Sequence, residues 1–267
     1  MVEKRVQSNR DEGVIRHRDA GLRAALAAGL VLLAACGARE PSLQGVEAEG
    51  LLERGLAAHQ AEEWNDAIRY LDRLVLEYPT HPSVQQARFY LADAYFGKEE
   101  YIAAAGRFTR LVEDYPRGEW ADDARFKVCD AYRILSPDAT LDQEYTEAAI
   151  DHCQSLVVYH PESEHVARAN EIVDAMRNKL ARKRLLSGEF YFKRRAYDSA
   201  ILYFEGVARD FPTTSVAPEA LLRAAEAYDR IGYEEEAAEA RARLLREYPA
   251  SEQARSLGSA PQAVAGS

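Results

Sequence analysis

Chemistry in this chain would have to come from a short inventory of side chains. Three cysteines, Cys36, Cys129 and Cys153, are too few for a disulfide framework in 267 residues, and their spacing fits no zinc ligand set. His160, Glu162, Glu164 and His165 are metal-ligating types, but they cluster around Pro161 without an i, i+4 relation on one helix face, so a polar loop is expected there. The acidic groups Glu62-Glu63, Asp122-Asp123 and Glu234-Glu235-Glu236 fall at turns or helix starts, where the helix dipole favours them without acid–base work. No G-x-S-x-G, P-loop or H-E-x-x-H occurs. The chain is therefore expected to have no catalytic residues, no metal and no cofactor, and to act by binding.

One cysteine carries a different chemistry. Cys36 ends an uncharged apolar run of 12 residues, Ala24 to Ala35, preceded by Arg16, His17, Arg18 and Arg23. Such a run is too short to span a bilayer and has the form of a secretory signal. Leu33-Ala34-Ala35-Cys36 resembles a bacterial lipobox, which implies cleavage between Ala35 and Cys36 and acylation of Cys36. This covalent lipid is the single non-protein group expected. A buried methylene contributes about 0.8 kcal/mol, so one chain anchors marginally and two or three anchor durably. Gly37, rather than Asp, follows the cysteine, and the resemblance to Gram-negative lipoproteins then implies the periplasmic leaflet of the outer membrane. The 44 acidic against 34 basic residues give a net charge of -10, and loss of residues 1–35 makes the remainder more acidic, so nucleic acid is not an expected partner.

The elements behind these residues repeat. Five times an alanine is followed twelve residues later by a proline: Ala67/Pro79, Ala104/Pro116, Ala149/Pro161, Ala200/Pro212 and Ala237/Pro249. Four of the prolines follow an aromatic, and four residues after each alanine come Leu71, Phe108, Cys153, Phe204 and Arg241. These offsets match the tetratricopeptide pattern of helix–turn–helix units. Small residues at Gly55, Ala92, Cys129, Gly188 and Ala225 would let each first helix approach its second. The expected fold is all-α, a right-handed superhelical solenoid of five tetratricopeptide repeats with a concave inner surface.

The middle departs from the regular spacing. Residues 135–142, with Pro137 and Asp138, read as a loop inserted in repeat three, and His165 to Ser187 as a continuous helix of 23 residues. The expected organisation is a signal at 1–35, a lipidated tether at 36–48, repeats one to three over 49–163, repeats four and five with the long helix over 164–250, and a disordered tail at 251–267.

Three groups of residues stand out within this frame. Helical periodicity places Leu52, Leu56, His59 and Gln60 of repeat one, Phe89, Asp93 and Phe96 of repeat two, and Phe126, Asp130 and Arg133 of repeat three on the inner face. There the phenylalanines would project into a groove suited to an extended aromatic-bearing peptide, or else pack between repeats. Arg177, Lys179, Arg182, Lys183, Arg184, Lys193, Arg194 and Arg195 form a basic cluster that could dock an acidic partner or anionic headgroups, or be a solvated face. Cys129 and Cys153 hold the small and large positions of one repeat. An oxidising periplasm would join a well-placed pair as a disulfide, but two buried thiols are the favoured expectation, because helix packing rarely brings Cα atoms within the roughly 4.4–6.8 Å a disulfide needs.

The stretches Asp142 to Ala149, His160-Pro161-Glu162-Ser163-Glu164, Phe190 to Ala200 and Asp210-Phe211-Pro212-Thr213-Thr214 resemble the BamD family, lipoprotein subunits of the β-barrel assembly machinery. The resemblance covers about 48–250. It implies that the N-terminal repeats hold unfolded outer-membrane proteins and that the C-terminal repeats dock the periplasmic domains of BamA, with Arg182, Lys183, Arg184, Lys193, Arg194 and Arg195 as docking candidates. The alternative function is a periplasmic repeat lipoprotein serving peptidoglycan enzymes, the Tol-Pal system or pilus secretin assembly.

Overall fold

The computed structural model describes residues 45–259. The signal, the lipidated Cys36, the cleavage position after Ala35, and the ends of the tether and tail lie outside the described residues. Within them the order is α1 (Ala48–Gln60), α2 (Trp64–Glu77), α3 (Val84–Gly97), α4 (Tyr101–Asp114), α5 (Ala121–Leu135), α6 (Glu144–Tyr159), α7 (Val166–Lys193), α8 (Tyr197–Asp210), α9 (Ala217–Ile231), α10 (Glu234–Glu247) and α11 (Glu252–Ser259). Each helix packs on the next in sequence. First helices also touch first helices, α1 with α3, α5 with α7 and α7 with α9, and so build one wall of a tetratricopeptide solenoid.

Local chemistry sets the helix ends. The residue before each of the five repeat prolines leaves the helical conformation, with φ of -127° at Tyr78, -136° at Tyr115, -135° at His160 and -131° at Phe211 and Tyr248, because proline's ring crowds the helical conformation of its predecessor. Within four of the pairs the first helix closes with a left-handed residue: Glu62, Glu99, Arg195 and Gly232, at φ 57°, 62°, 64° and 79°. At each, the following N–H reaches back to the last turn, as Glu63 N–H does to the Ala58 carbonyl. Glycine is the residue this conformation favours, and only repeat five has it.

Packing follows the small–large rule. Ala67, Ala104, Ala149, Ala200 and Ala237 are fully buried. A Cβ on Gly55 would fall 2.6 Å from Leu71, and one on Gly188 would fall 2.5 Å from Phe204. Those two glycines therefore set how closely the helices of repeats one and four approach.

Repeat three uses the same positions differently, and the expectation of two free thiols is corrected. Cys129 and Cys153 form a disulfide, with Cα atoms 4.8 Å apart. The small and large positions are where the paired helices come closest, so two cysteines there lie within bonding reach. The inserted segment is also a built structure. Gln143 is buried; its Nε2 reaches the carbonyls of Asp138 (2.8 Å) and Leu141 (3.0 Å), and its Oε1 accepts from Thr146 Oγ1 (2.7 Å). Thr146 meets Ser136 Oγ at 2.6 Å, and Lys179 from α7 donates to that same hydroxyl at 2.6 Å.

Two boundaries move. The long helix has 28 residues rather than 23, because Gly188 is held in helical register under Phe204 and no proline follows. At about 1.5 Å per residue it spans roughly 42 Å. The tail read as disordered from 251 instead opens with α11, whose Ala254 is buried beside Leu221 and Leu244. The last pair of a solenoid has no successor to cover it, and α11 takes that place.

Candidate binding surfaces

The wall of first helices brings together His59 of α1, Asp93 of α3 and Lys127 of α5. His59 Nε2 lies 2.9 Å from Asp93 Oδ2, and Lys127 Nζ lies 2.6 Å from Asp93 Oδ1. Partial burial works against the Asp93 carboxylate, but the hydrogen bonds from His59 and Lys127 outweigh it and hold its pKa below the ordinary value. His59 is flanked edge-on by Trp64 and Tyr90, and the Lys127 ammonium sits 4.7 Å over the Phe96 ring. Relative to the small residue of its repeat, the polar group stands at +4, +1 and -2 in turn, so the row runs obliquely across the wall. Lys127 was not among the expected face residues, and this constant step of three per repeat is the signal that could have found it.

Of the two readings of the phenylalanines, projection into a groove or packing between repeats, the contacts favour packing. Phe89 is 7% exposed, in the core against Phe108, Trp120 and Tyr90. Phe96 packs beside Tyr101 beneath Lys127, and Phe126 stacks on His165 with centroids 4.4 Å apart. Burial of large aromatics between repeats outweighs display on a surface. Asp130 and Arg133 pair with each other at 2.5 Å. Leu52 and Leu56 are half-buried and Gln60 exposed, leaving these as the more accessible face residues of repeat one.

His165 does more than line a loop. Its Nε2 lies 2.7 Å from Asp123 Oδ1, and Glu164 brings a carboxylate into the same group, with all three ligand atoms within 4.8 Å. The contact ties α5 to the start of α7, where the helix dipole opposes a cation.

The basic cluster divides into two parts. Arg182 pairs with Glu219 at 3.0 Å, Lys183 donates to the Leu141 carbonyl, and Arg184 binds Asp210 and the Gly206 carbonyl. Hydrogen bonds from Arg209 and Arg184 bring the Asp210 pKa down to about 2. These three docking candidates have partners within the chain: they tie α7 to the inserted segment, α8 and α9, because a helix crossing so much structure places its cations beside carbonyls and carboxylates. Lys193, Arg194 and Arg195 stay exposed at the end of α7, where Arg194 lies 4.3 Å over the half-exposed Phe190 ring.

Paired helices stacked into a wall of first helices define a tetratricopeptide-repeat protein. Residues 45–245 match the family model YfiO, described as outer membrane lipoprotein, and the chain belongs to that family. It is 29% identical over 187 residues to the outer membrane protein assembly factor BamD of Caulobacter vibrioides, covering 70% of this chain and 49% of that one. Against proteins of the same name, it is 25% identical to that of Rickettsia prowazekii, covering 86% of this chain and 92% of the relative, and 27% identical to that of Vibrio cholerae, covering 76% and 88%. The chain thus spans about half the length of the Caulobacter relative and most of the other two. Among solved structures it resembles the TPR2AB domain of yeast Sti1, with TM-score 0.41, 15% identity and coverage of 76% and 78%. Among the described residues no helix is long and apolar enough to cross a membrane.

Proposed function

We propose that this chain is a subunit for assembly of outer-membrane β-barrel proteins, held at the periplasmic face of the outer membrane by lipid on Cys36. The observation that carries this reading is the family match over residues 45–245, together with three relatives named as outer membrane protein assembly factors. The work is binding rather than catalysis. The wall of repeats one to three, with Leu52, Leu56 and Gln60 beside the His59–Asp93–Lys127 row, holds an extended segment of an unfolded client. The exposed Lys193, Arg194 and Arg195 dock the periplasmic domains of BamA. A disulfide between helices fits an oxidising compartment outside the cytoplasm, where such bonds persist.

Depletion of the protein in its host, followed by quantitative proteomics of isolated outer membranes, tests this. Loss of porins and other barrel proteins while lipoproteins persist is the expected result. Normal barrel content with altered muropeptides or septation would replace this reading with a cell-wall adapter.

A further inference from the structure

Three first helices carry an arginine four residues before their small residue: Arg88 before Ala92, Arg125 before Cys129 and Arg184 before Gly188. In two of them the guanidinium finds the same kind of partners. Arg88 Nη1 donates to Asp114 Oδ2 at 2.6 Å and lies 5.5 Å from the Tyr115 centroid. Arg184 donates to Asp210 and lies 5.3 Å from the Phe211 centroid. Asp114 and Asp210 each stand ten residues after the conserved-offset alanine of their second helix, Ala104 and Ala200.

Ten residues after Ala149 stands Tyr159. Arg125 consequently lies 4.6 Å over the Tyr159 ring and donates to Ser155 Oγ at 2.9 Å, and among the described residues it forms no ion pair with any carboxylate. Burial lowers its pKa, as befits a cation without a counter-ion. Arg125 borders a cavity of about 380 Å³ between α4, α5 and α6, lined by Thr109, Val112, His152, Ser155 and Tyr159 among others. Glu113 also borders it, but its carboxylate lies 3.9 Å from Arg110. Beside the cavity, Val158 and Tyr159 are 71% and 67% exposed.

We propose that the Arg125 groove docks an acidic side chain of a partner protein, whose carboxylate takes the place beside Arg125 that Asp114 and Asp210 take beside Arg88 and Arg184. A guanidinium held by stacking and one hydroxyl keeps further N–H donors for a carboxylate, and such charge-assisted bonds are among the stronger polar contacts. The exposed Val158 and Tyr159 supply the apolar contact that a peptide chain uses and a free inorganic anion does not. The site is distinct from the wall of first helices and does not depend on the assembly role.

The test is fluorescence anisotropy of the full chain with a dye-labelled, end-blocked pentapeptide carrying Glu between two leucines, against its Gln counterpart. The Glu peptide should bind at least about tenfold tighter, the equivalent of about 1.4 kcal/mol. Tyr159→Asp supplies the carboxylate from within and should erase that preference while raising Tm. Arg125→Gln should erase it with no rise in Tm, and helical circular dichroism reports whether either variant is folded. Equal binding of the two peptides to the native chain, or a preference that survives Tyr159→Asp, would overturn the proposal. So would full displacement of the Glu peptide by millimolar inorganic phosphate, which would make a free anion the occupant.

Discussion

Repeat three and repeat four solve the same problems by different means. In repeat four the helices close over Gly188 and Phe204, the turn between them takes three residues with Arg195 left-handed, and Arg184 neutralises Asp210. In repeat three the same positions hold a disulfide, the turn is an eight-residue segment organised by Gln143, and Arg125 has no acidic partner among the described residues. A covalent bond thus stands where its neighbours rely on steric fit, and an open cation stands where theirs are closed. The lesson is that a repeat can keep its backbone geometry while exchanging which interactions hold it, leaving one repeat equipped for contact with something else.

The largest expected effect comes from removing the covalent element. Cys129→Ala with Cys153→Ala should cost about 3 kcal/mol, the loop-closure contribution for a crosslink of this span, measured by urea denaturation under non-reducing conditions. The native chain in reducing agent should lose a similar amount, and equal stability of both forms would show that steric fit alone holds repeat three.

The counterpart in repeat four is Gly188→Ala, which drives a methyl into Phe204 and should cost about 1–3 kcal/mol. Neutrality would mean that Phe204 moves freely and that the close approach is not set there. A similar loss, about 1–3 kcal/mol, is expected for Gln143→Leu, which removes three side-chain hydrogen bonds at once, those to the Asp138 and Leu141 carbonyls and the one from the Thr146 hydroxyl, although Ser136, Lys183 and the Leu141 N–H still reach these groups. Hydrogen exchange should then rise in residues 136–143 before it rises elsewhere; uniform protection would assign the order of that segment to Lys179 and Lys183 instead.

The smallest effect sharpens the arginine comparison. The Asp210 pKa lies at about 2, below its ordinary value, so the folded state binds this proton less readily than the unfolded state. Its contribution to stability is complete above the unfolded carboxylate pKa and is lost as pH falls through about 2. Carboxyl NMR should show the low midpoint, and Arg184→Gln should raise it. An unchanged midpoint would assign the shift to Arg209 alone.

Much of this molecule was legible in its residues. Alanine and proline offsets establish five helix pairs, and the small–large positions state where paired helices touch, because packing in a repeat is local and each unit meets the same constraint. The long helix and the insertion were readable as departures from that spacing. The side-chain groups were less so: Phe89 went to the core, Arg182, Lys183 and Arg184 went to internal partners, and Lys127 joined the wall unnoticed.

What the sequence by itself determined is therefore the period, the helix boundaries to within a few residues, and the family, all of which depend on neighbours along the chain. Only the tertiary structure decided that Cys129 meets Cys153 as a disulfide, that α11 covers the last pair, and that Arg125, of three equivalent arginines, is the one without a carboxylate among the described residues. Those outcomes depend on which side chain stands opposite across a helix pair, and partners such as Arg184 and Asp210 lie 26 residues apart in sequence. Composition and periodicity say which face a residue occupies, but the partner it meets there is set by the angle and distance at which two helices cross.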